Sequence, residues 1–287
     1  MVRRFWFAAL LTSALVVGCG DTRVTLLEPI RSRPDAGAAH DAAAGAPHDA
    51  AAGDGSATDG ATAPPPPLYA AHLIHRYGFD GEGSRVVDSV GSADGSLMGG
   101  AVLDGAGHVT LDGVDDYINL PNGLVSGLTN VTLVAWLAWN GGPCWQRVFD
   151  FGSSDAGEDQ VGNATSSLFA TPKRCPGAGP ATSFETSAGI LGSVDSDVPF
   201  PILNRSLFAV AVDNDAKQLR LYAAGQRLGT AKPEPLSVLT DDNDWLGRSQ
   251  WVQDDYLRGT YDEFRIYDSA LSDAELGALE AAGQDAQ

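Results

Sequence analysis

From residue 68 onward, the sequence predicts an all-β domain, an antiparallel two-sheet jelly-roll sandwich with a short C-terminal helix. Short runs of β-branched and aromatic residues alternate with Gly, Asp, Asn and Pro, a pattern typical of many-stranded β domains. The runs follow one another without intervening helical patterns, which favours antiparallel pairing. The run 131–139 is apolar at both odd and even positions, as expected of a central strand covered on both faces.

Turn and cap residues place the individual elements. Ala224 and Gly225 separate two β runs and indicate a hairpin turn. A helix is predicted at 272–281, where Ser272 can cap its start and Glu275 completes a capping box. The predicted strands span 72–79, 101–103, 108–111, 117–120, 131–139, 147–151, 167–171, 183–186, 207–212, 218–223, 226–230, 245–246 and 256–267.

The charge balance excludes one class of partner. Lys and Arg total 18 against 37 Asp and Glu, which gives a formal net charge of -19. Such a surface repels nucleic-acid phosphates, and no basic stripe with interleaved aromatic residues is visible in the sequence. We therefore expect no nucleic-acid binding.

The N-terminal residues have the features of an export signal. Two arginines precede the apolar run 5–17, which is too short for a permanent membrane span, although a short transmembrane anchor is the alternative. The motif Leu-Val-Val-Gly-Cys that ends at Cys19 resembles the lipobox of bacterial lipoproteins. This resemblance implies a signal peptide at 1–18 and acylation of Cys19, which anchors the chain to a membrane. The next residue is Gly20 rather than Asp, which favours the outer membrane, facing either the periplasm or the exterior.

Residues 19–67 are predicted to form a disordered tether between the lipid and the folded domain at 68–287. From residue 35 onward the tether is nearly all Ala, Gly, Asp, Pro, Thr and Ser. Large apolar side chains are absent there, so nothing offsets the entropy cost of ordering the segment. Four consecutive prolines end it as a stiff polyproline II spacer.

The cysteine count predicts one disulfide. If Cys19 carries lipid, Cys144 and Cys175 remain as a pair in an oxidising compartment. Both lie in segments rich in turn residues. Metal binding by two isolated cysteines is the weaker alternative.

Ordered motifs run through the domain. They include Tyr-Gly-Phe-Asp-Gly at 77–81, Leu-Asp-Gly-Val-Asp-Asp-Tyr-Ile at 111–118 and Gly-Thr-Tyr-Asp-Glu-Phe-Arg-Ile-Tyr at 259–267. Together they resemble the LamG-like jelly rolls of the concanavalin A-like lectin/glucanase superfamily, over about residues 72–281. Ser-Leu-Phe at 206–208 stands where relatives usually carry Trp-x-His, so we expect only packing from these positions.

The resemblance also implies a structural calcium ion between the first and last strands. Its expected ligands are Asp80, Asp262 and a backbone carbonyl near Asp112 or Gly113, because calcium takes six to eight oxygen atoms. Asp262 has the same strand parity as Phe264, so its carboxylate is expected to face inward and to need a partner. The alternative is that Asp80 is a turn residue and that Asp262 accepts hydrogen bonds from backbone amides.

A carbohydrate site requires an aromatic platform with hydrogen-bonding groups beside it. Five residues at predicted strand ends or in loops meet that description, and such positions often carry function. For each tryptophan the alternative is a cover packed over the end of the sandwich. The candidates are Trp139, Trp145, Arg248, Trp251 and Tyr256.

Catalysis has little support in the sequence. Glucanases of this fold use two carboxylates that alternate along one strand, and no Glu-x-Asp-x-Glu run occurs. The sequence therefore predicts a non-enzymatic, lipid-anchored binding module that recognises a glycan or another surface component. The alternatives are a structural or protein-interaction module and, less favoured, a glycoside hydrolase whose acids come from separate loops.

Overall fold

The computed structural model describes residues 68–285. The predicted signal peptide, Cys19 and the tether lie outside the described residues. Within residues 68–285, none of the helices has the length and apolar character needed to span a membrane.

The described residues form two large antiparallel sheets, as the fold class predicts. The first sheet has the order β1-β17-β8-β13-β14-β15, with β6 also paired to β17, and the second has the order β12-β11-β10-β9-β16-β7-β4-β3. A small third sheet pairs β2 with β5. The strands are β1 (Leu73–Tyr77), β2 (Glu82–Gly83), β3 (Arg85–Val86), β4 (Gly95–Met98), β5 (Leu103–Asp104), β6 (Val109–Asp112), β7 (Tyr117–Leu120), β8 (Val131–Trp139), β9 (Phe149–Ser154), β10 (Ala164–Thr171), β11 (Ala181–Thr186), β12 (Gly189–Asp195), β13 (Ser206–Asp213), β14 (Gln218–Ala223), β15 (Gln226–Ala231), β16 (Asn243–Leu246) and β17 (Arg258–Tyr267).

Strand β8 is covered on both faces, which confirms the prediction from its sequence. Leu133 and Leu137 belong to the main core between the two sheets. Val134 and Trp136 face the other way, into a second cluster beneath the C-terminal helix. Eight of the nine residues of this strand are apolar because both of its faces are covered, and the hydroxyl of Thr132 donates to the Ser269 carbonyl.

The C-terminal helix α1 spans Asp273–Ala282 and begins as predicted. The Ser272 side chain accepts a hydrogen bond from the Glu275 backbone amide, and the Glu275 carboxylate accepts one from the Ser272 amide. Leu276 and Leu279 bury one side of the helix against the first sheet. The helix thus covers one outer face of the sandwich and leaves the outer face of the second sheet to loops.

The turn at Ala224–Gly225 connects β14 to β15, as predicted. Both residues have positive φ, 48° and 85°, which is the backbone that a tight two-residue hairpin requires.

A β-bulge in β17 overturns the predicted orientation of Asp262. The register with β8 shifts between Tyr261 and Glu263. Tyr261 and Phe264 consequently both enter the main core although they are three residues apart. Asp262 faces away from that core and forms an ion pair with Arg205, through both carboxylate oxygens. Side-chain alternation predicts the wrong face for Asp262 because a bulge inserts one extra residue and reverses the parity beyond it.

Cys144 and Cys175 form a disulfide, with their Cα atoms 5.7 Å apart. The bond joins the segment that enters β9 to the segment that leaves β10, and closes a loop across a sequence separation of 31 residues. It therefore restrains the chain on both sides of these two neighbouring strands.

Removal of this disulfide is expected to destabilise the domain. The double variant Cys144→Ala/Cys175→Ala should lose about 3 kcal/mol of unfolding free energy, because the unfolded chain regains the entropy of an open loop. Thermal melts should show a fall in Tm on the order of 10 °C for a domain of this size. A variant changed at Cys19 alone serves as the control, and an unchanged Tm in the double variant would contradict the expectation.

Candidate functional site

The outer face of the second sheet carries the candidate site. On β9, Phe149 and Phe151 point into the main core, so Asp150 between them points outward. The sheet register places Asp150 beside Phe169 of β10, and Phe169 beside Ser183 of β11. A row of polar and aromatic side chains therefore crosses the face that α1 does not cover.

Two loops cover the middle of this face and are bonded to each other. The loop 155–163 follows β9, and the loop 247–257 follows β16. The Gly162 amide donates to the Gln250 carbonyl at 3.0 Å, and the Val252 amide donates to the Gly162 carbonyl at 3.0 Å. These bonds fix the second loop in place and leave an open depression beside it.

That depression is a cleft of about 230 Å³ at the β10–β11 side of the face, which we call the indole cleft. Phe169 contributes its floor. The rings of Trp145 and Trp251 stand edge-on to Phe169, with centroids 6.4 and 5.8 Å from the Phe169 centroid. Both indoles are partly exposed. The residues that line the cleft are Trp145, Arg147, Phe169, Glu185, Trp251, Gln253 and Asp254.

The cation at the base of the indole cleft is held rigidly. The Arg147 guanidinium carbon lies 3.9 Å from the centre of the Phe169 ring. Its Nε donates to the Asp150 carboxylate at 3.1 Å and one terminal nitrogen donates to Asp254 at 2.7 Å. The other terminal nitrogen donates to the Trp145 carbonyl at 2.5 Å. Arg147 thus connects the sheet, the loop 247–257 and one indole wall.

Asp150 anchors this network from beneath. It is fully buried, and its carboxylate accepts hydrogen bonds from the Ser167 hydroxyl at 2.5 Å and the Gln250 amide at 3.1 Å. Burial raises the pKa of Asp150 to about 6, although Arg147 and these hydrogen bonds favour the ionised form. The pKa rises because desolvation disfavours the charged carboxylate more than Arg147 and the hydrogen-bond donors favour it.

The structure brings together two of the five sequence-predicted binding residues, Trp145 and Trp251. Trp139 is a correction, because it is 3% exposed and its indole nitrogen donates to the Gln146 side chain at 2.7 Å. It lies in the main core and offers no ring face to a ligand.

Arg248 and Tyr256 belong to a neighbouring aromatic cluster rather than to the indole cleft. The Arg248 guanidinium lies 4.1 Å from the Trp245 ring centre and 4.4 Å from that of Tyr117. Tyr256 packs against Tyr117 with ring centroids 6.2 Å apart. This cluster joins both ends of the loop 247–257 to the aromatic residues of β7 and β16.

The polar residues that line the cleft were not predicted from the sequence. Arg147, Glu185 and Asp254 come from three segments that are far apart in the chain. A local signal exists for Phe169 alone, since it alternates with the core residue Leu168 and therefore faces outward. The others become neighbours through strand register, which the sequence does not reveal.

Comparison with known proteins identifies the family. The family model described as the concanavalin A-like lectin/glucanases superfamily matches residues 112–277, more than half of the chain. The chain belongs to this superfamily. A search of curated proteins found no match.

Solved structures of the same fold resemble this superfamily member at low identity. Domain 4 of an extracellular GH43 arabinanase from Geobacillus stearothermophilus, solved with arabinotriose, has 21% identity and a TM-score of 0.59, and the match covers 73% of this chain and 98% of that domain. Trypanosoma rangeli sialidase with sialic acid has 16% identity and a TM-score of 0.55, over 75% of this chain and 34% of the sialidase. The ligand-binding domain of botulinum neurotoxin serotype D, solved with N-acetylneuraminic acid, has 12% identity and a TM-score of 0.53. The match covers 75% of this chain and 52% of the neurotoxin chain. These likenesses show a shared fold.

The calcium ligands expected from the superfamily are only partly assembled. Asp80 and Asp262 line one polar cavity of about 440 Å³, together with the backbone at 105–107. Asp112 and Gly113 lie elsewhere, because Asp112 pairs with Arg258, four residues before Asp262 on β17. A backbone carbonyl near Asp112 or Gly113 is therefore not among the groups that line the cavity with Asp80 and Asp262, and calcium binding there stays a prediction.

The two carboxylates of this cavity fit a calcium ion only if Arg205 releases Asp262. Arg205 is more than half exposed, whereas the Asp262 side chain is buried, so it is the arginine that has room to move. Asp112 lies instead in a cluster with Asp115 and Asp116, whose carboxylate oxygens are within 4.8 Å of one another. We expect calcium to bind in the cavity with Asp80 and Asp262, where it competes with the Arg205 guanidinium for Asp262.

Asp150→Asn is expected to change how stability depends on pH. The folded pKa of about 6 lies above the ordinary value of 3.8, so between these values the folded chain retains a proton that the unfolded chain releases. The contribution of Asp150 to the unfolding free energy therefore falls as pH rises through this window, by at most about 1.4 kcal/mol per pH unit. Urea unfolding of the wild type and the variant, from about pH 4 to about pH 7, measures the difference. A difference that does not vary with pH would contradict the expectation.

Calcium is expected to raise the Tm of the wild-type chain, because a ligand that binds only the folded state stabilises it. Arg205→Ala removes the competing cation and should enlarge the rise, whereas Asp80→Asn should diminish it. Thermal melts in calcium chloride and in chelator provide the measurement, with Arg227→Ala as an arginine control outside the cavity. Equal midpoints with calcium and with chelator in all variants would exclude calcium.

Proposed function

We propose that this domain is a non-enzymatic glycan-binding module and that the indole cleft holds the sugar. The observation that carries the proposal is the pair of partly exposed indoles, Trp145 and Trp251, placed around one cleft by a fixed network. Aromatic walls with a few convergent polar groups are the usual composition of small-ligand sites. The apolar face of a sugar ring packs on an indole, and its hydroxyl groups bond to the polar rim.

The polar rim has donors and acceptors suited to sugar hydroxyls. Glu185, Gln253 and Asp254 line the cleft beside the indoles. Arg147 holds Asp254 and the Trp145 backbone in place before any ligand arrives. A preformed site loses little conformational entropy on binding, so modest contacts yield measurable affinity.

Binding without catalysis is favoured by the state of the carboxylates. One Asp254 oxygen accepts hydrogen bonds from Arg147 at 2.7 Å and from the Ser249 hydroxyl at 2.8 Å. Glu185 accepts one from the Ser183 hydroxyl at 2.6 Å. Glycoside hydrolysis needs a carboxylic acid that gives its proton to the leaving oxygen and a second free carboxylate. In the lining of the cleft Asp254 is ion-paired with Arg147, so Glu185 is left without a second free carboxylate.

The relatives support a saccharide as the class of ligand. Three of the similar structures were solved in complex with a saccharide, namely arabinotriose, sialic acid and N-acetylneuraminic acid. Their identities to this chain are low, so the particular sugar does not carry over.

We extend the proposal to the membrane. The lipobox-like motif supports acylation of Cys19, and the long tether would lift the cleft away from an outer-membrane surface. Labelling with radioactive palmitate should mark the full chain expressed in a Gram-negative host and should fail with Cys19→Ser. A Cys19→Ser chain that still carries label and sediments with the outer membrane would contradict this part.

Glycan binding is expected to depend on Trp251. A chain of residues 20–287, applied to an array of plant, microbial and animal glycans, should give specific signals. Trp251→Ala should weaken the affinity at least about tenfold, because loss of one buried aromatic ring costs on the order of 1.5–3 kcal/mol. Calorimetry on the strongest glycan gives the ratio of Kd values.

Val252→Ala is the matched control, because Val252 is exposed, adjacent in sequence and outside the cleft lining. An array without signals would instead favour the structural or protein-interaction module. Reducing ends released from a glycan by the wild-type chain would favour the glycoside hydrolase.

A further inference from the structure

Negative charges outnumber positive charges at the indole cleft. Arg147 is its cation, and it is ion-paired with two carboxylates, Asp150 at 3.1 Å and Asp254 at 2.7 Å. A third carboxylate, Glu185, lines the same cleft and is only partly buried. One cation therefore faces three carboxylates, in a chain whose net charge is -19.

The guanidinium of Arg147 has no free edge for a ligand carboxylate. An arginine grips a carboxylate best through two parallel hydrogen bonds from one side of its planar group. In Arg147, Nε and one terminal nitrogen already donate to Asp150 and Asp254, and the other terminal nitrogen donates to the Trp145 carbonyl. The side chain is 2% exposed and stacked on Phe169. An anionic ligand would have to break this network to reach the positive charge.

Other cations near the cleft are directed elsewhere. The Lys173 ammonium group donates to the Gly142 carbonyl at 3.2 Å, and Arg174 pairs with Asp197 at 2.8 Å. Within residues 68–285, Glu185 forms no ion pair with a lysine or an arginine, and its hydrogen-bond donor is the neutral Ser183 hydroxyl. Its negative charge therefore acts on whatever enters the cleft.

We propose that the indole cleft selects uncharged and amino sugars and rejects sugars that carry a carboxylate. The inference rests on the proposed glycan-binding function and names the class of ligand for that same site. Glu185 supplies the repulsion and attracts an ammonium group, while the indoles contribute the same stacking to every sugar. The Glu185 charge gives selectivity because its repulsion weakens the binding of carboxylated sugars and leaves that of uncharged sugars unchanged.

A glycan array with three sets of probes tests the selectivity. The first set holds neutral arabino-, xylo- and manno-oligosaccharides, the second chitosan oligomers, and the third oligogalacturonides and sialylated oligosaccharides. The wild-type chain of residues 20–287 should bind probes of the first two sets and bind those of the third set at least about threefold more weakly. Glu185→Gln keeps an acceptor for Ser183 but removes the charge, so affinity for the third set should rise about threefold, as expected for one unit charge roughly 6 Å away in water. Affinity for chitosan oligomers should fall by a similar factor.

Glu158→Gln is the matched control. Glu158 is an exposed acid on the same face of the sheet, outside the indole cleft, and accepts a hydrogen bond from Asn122 at 2.7 Å. It should leave all three sets unchanged. Binding to carboxylated glycans at least as strong as to neutral ones, and lost in Trp251→Ala, would overturn the selectivity while the glycan-binding function stands. Absence of binding to every set would overturn both.

Discussion

Contact between the two sheets through Phe264, Phe149 and Phe151 determines where the other features lie. Phe264 of β17 lies with its ring centroid 6.3 Å from that of Phe149 and 6.1 Å from that of Phe151, both on β9. Because strand side chains alternate, two phenylalanines that fill the core oblige the residue between them to face outward. That residue is Asp150. The packing of the core thus places a carboxylate at the centre of the opposite face.

The buried carboxylate then organises the surface above it. A charge taken out of water is costly unless it is paired and hydrogen-bonded. Arg147, Ser167 and the Gln250 amide satisfy Asp150 in this chain. Removing one partner of a buried ion pair such as Arg147–Asp150 typically costs about 3–5 kcal/mol. The backbone amide of Gln250 donates to the same carboxylate, so the loop 247–257 is bonded directly to the sheet. The same network positions Trp251 and Asp254, which follow Gln250 in that loop.

The proposed selectivity of the indole cleft depends on its rigid ring walls and on its excess of negative charge. Ring walls with a fixed separation suit a rigid ligand with an apolar face, and the chair of a pyranose is such a ligand. The cation beneath the rings serves the protein rather than the ligand, because its hydrogen bonds are directed at side chains and backbone of the chain itself. Recognition of the ligand is left to the indoles, Gln253 and Glu185. This division separates the groups that build the cleft from those that discriminate among sugars.

Sequence by itself determined the features that depend on local pattern. The apolar positions of β8, the capping box of α1 and the turn at Ala224–Gly225 follow from side-chain period and backbone preference, which act within a few residues. The sequence also placed Trp145 and Trp251 in loops, because loop tryptophans beside turn residues are visible in a sequence, and their role in binding stays a prediction. Tertiary structure alone decided the bulge that turns Asp262 toward Arg205, the burial of Trp139, the edge strand β12, and the meeting of Arg147 with Phe169 and Glu185. Each of these depends on strand register between distant segments, and register is set by packing across the whole sandwich rather than by the neighbouring residues in the chain.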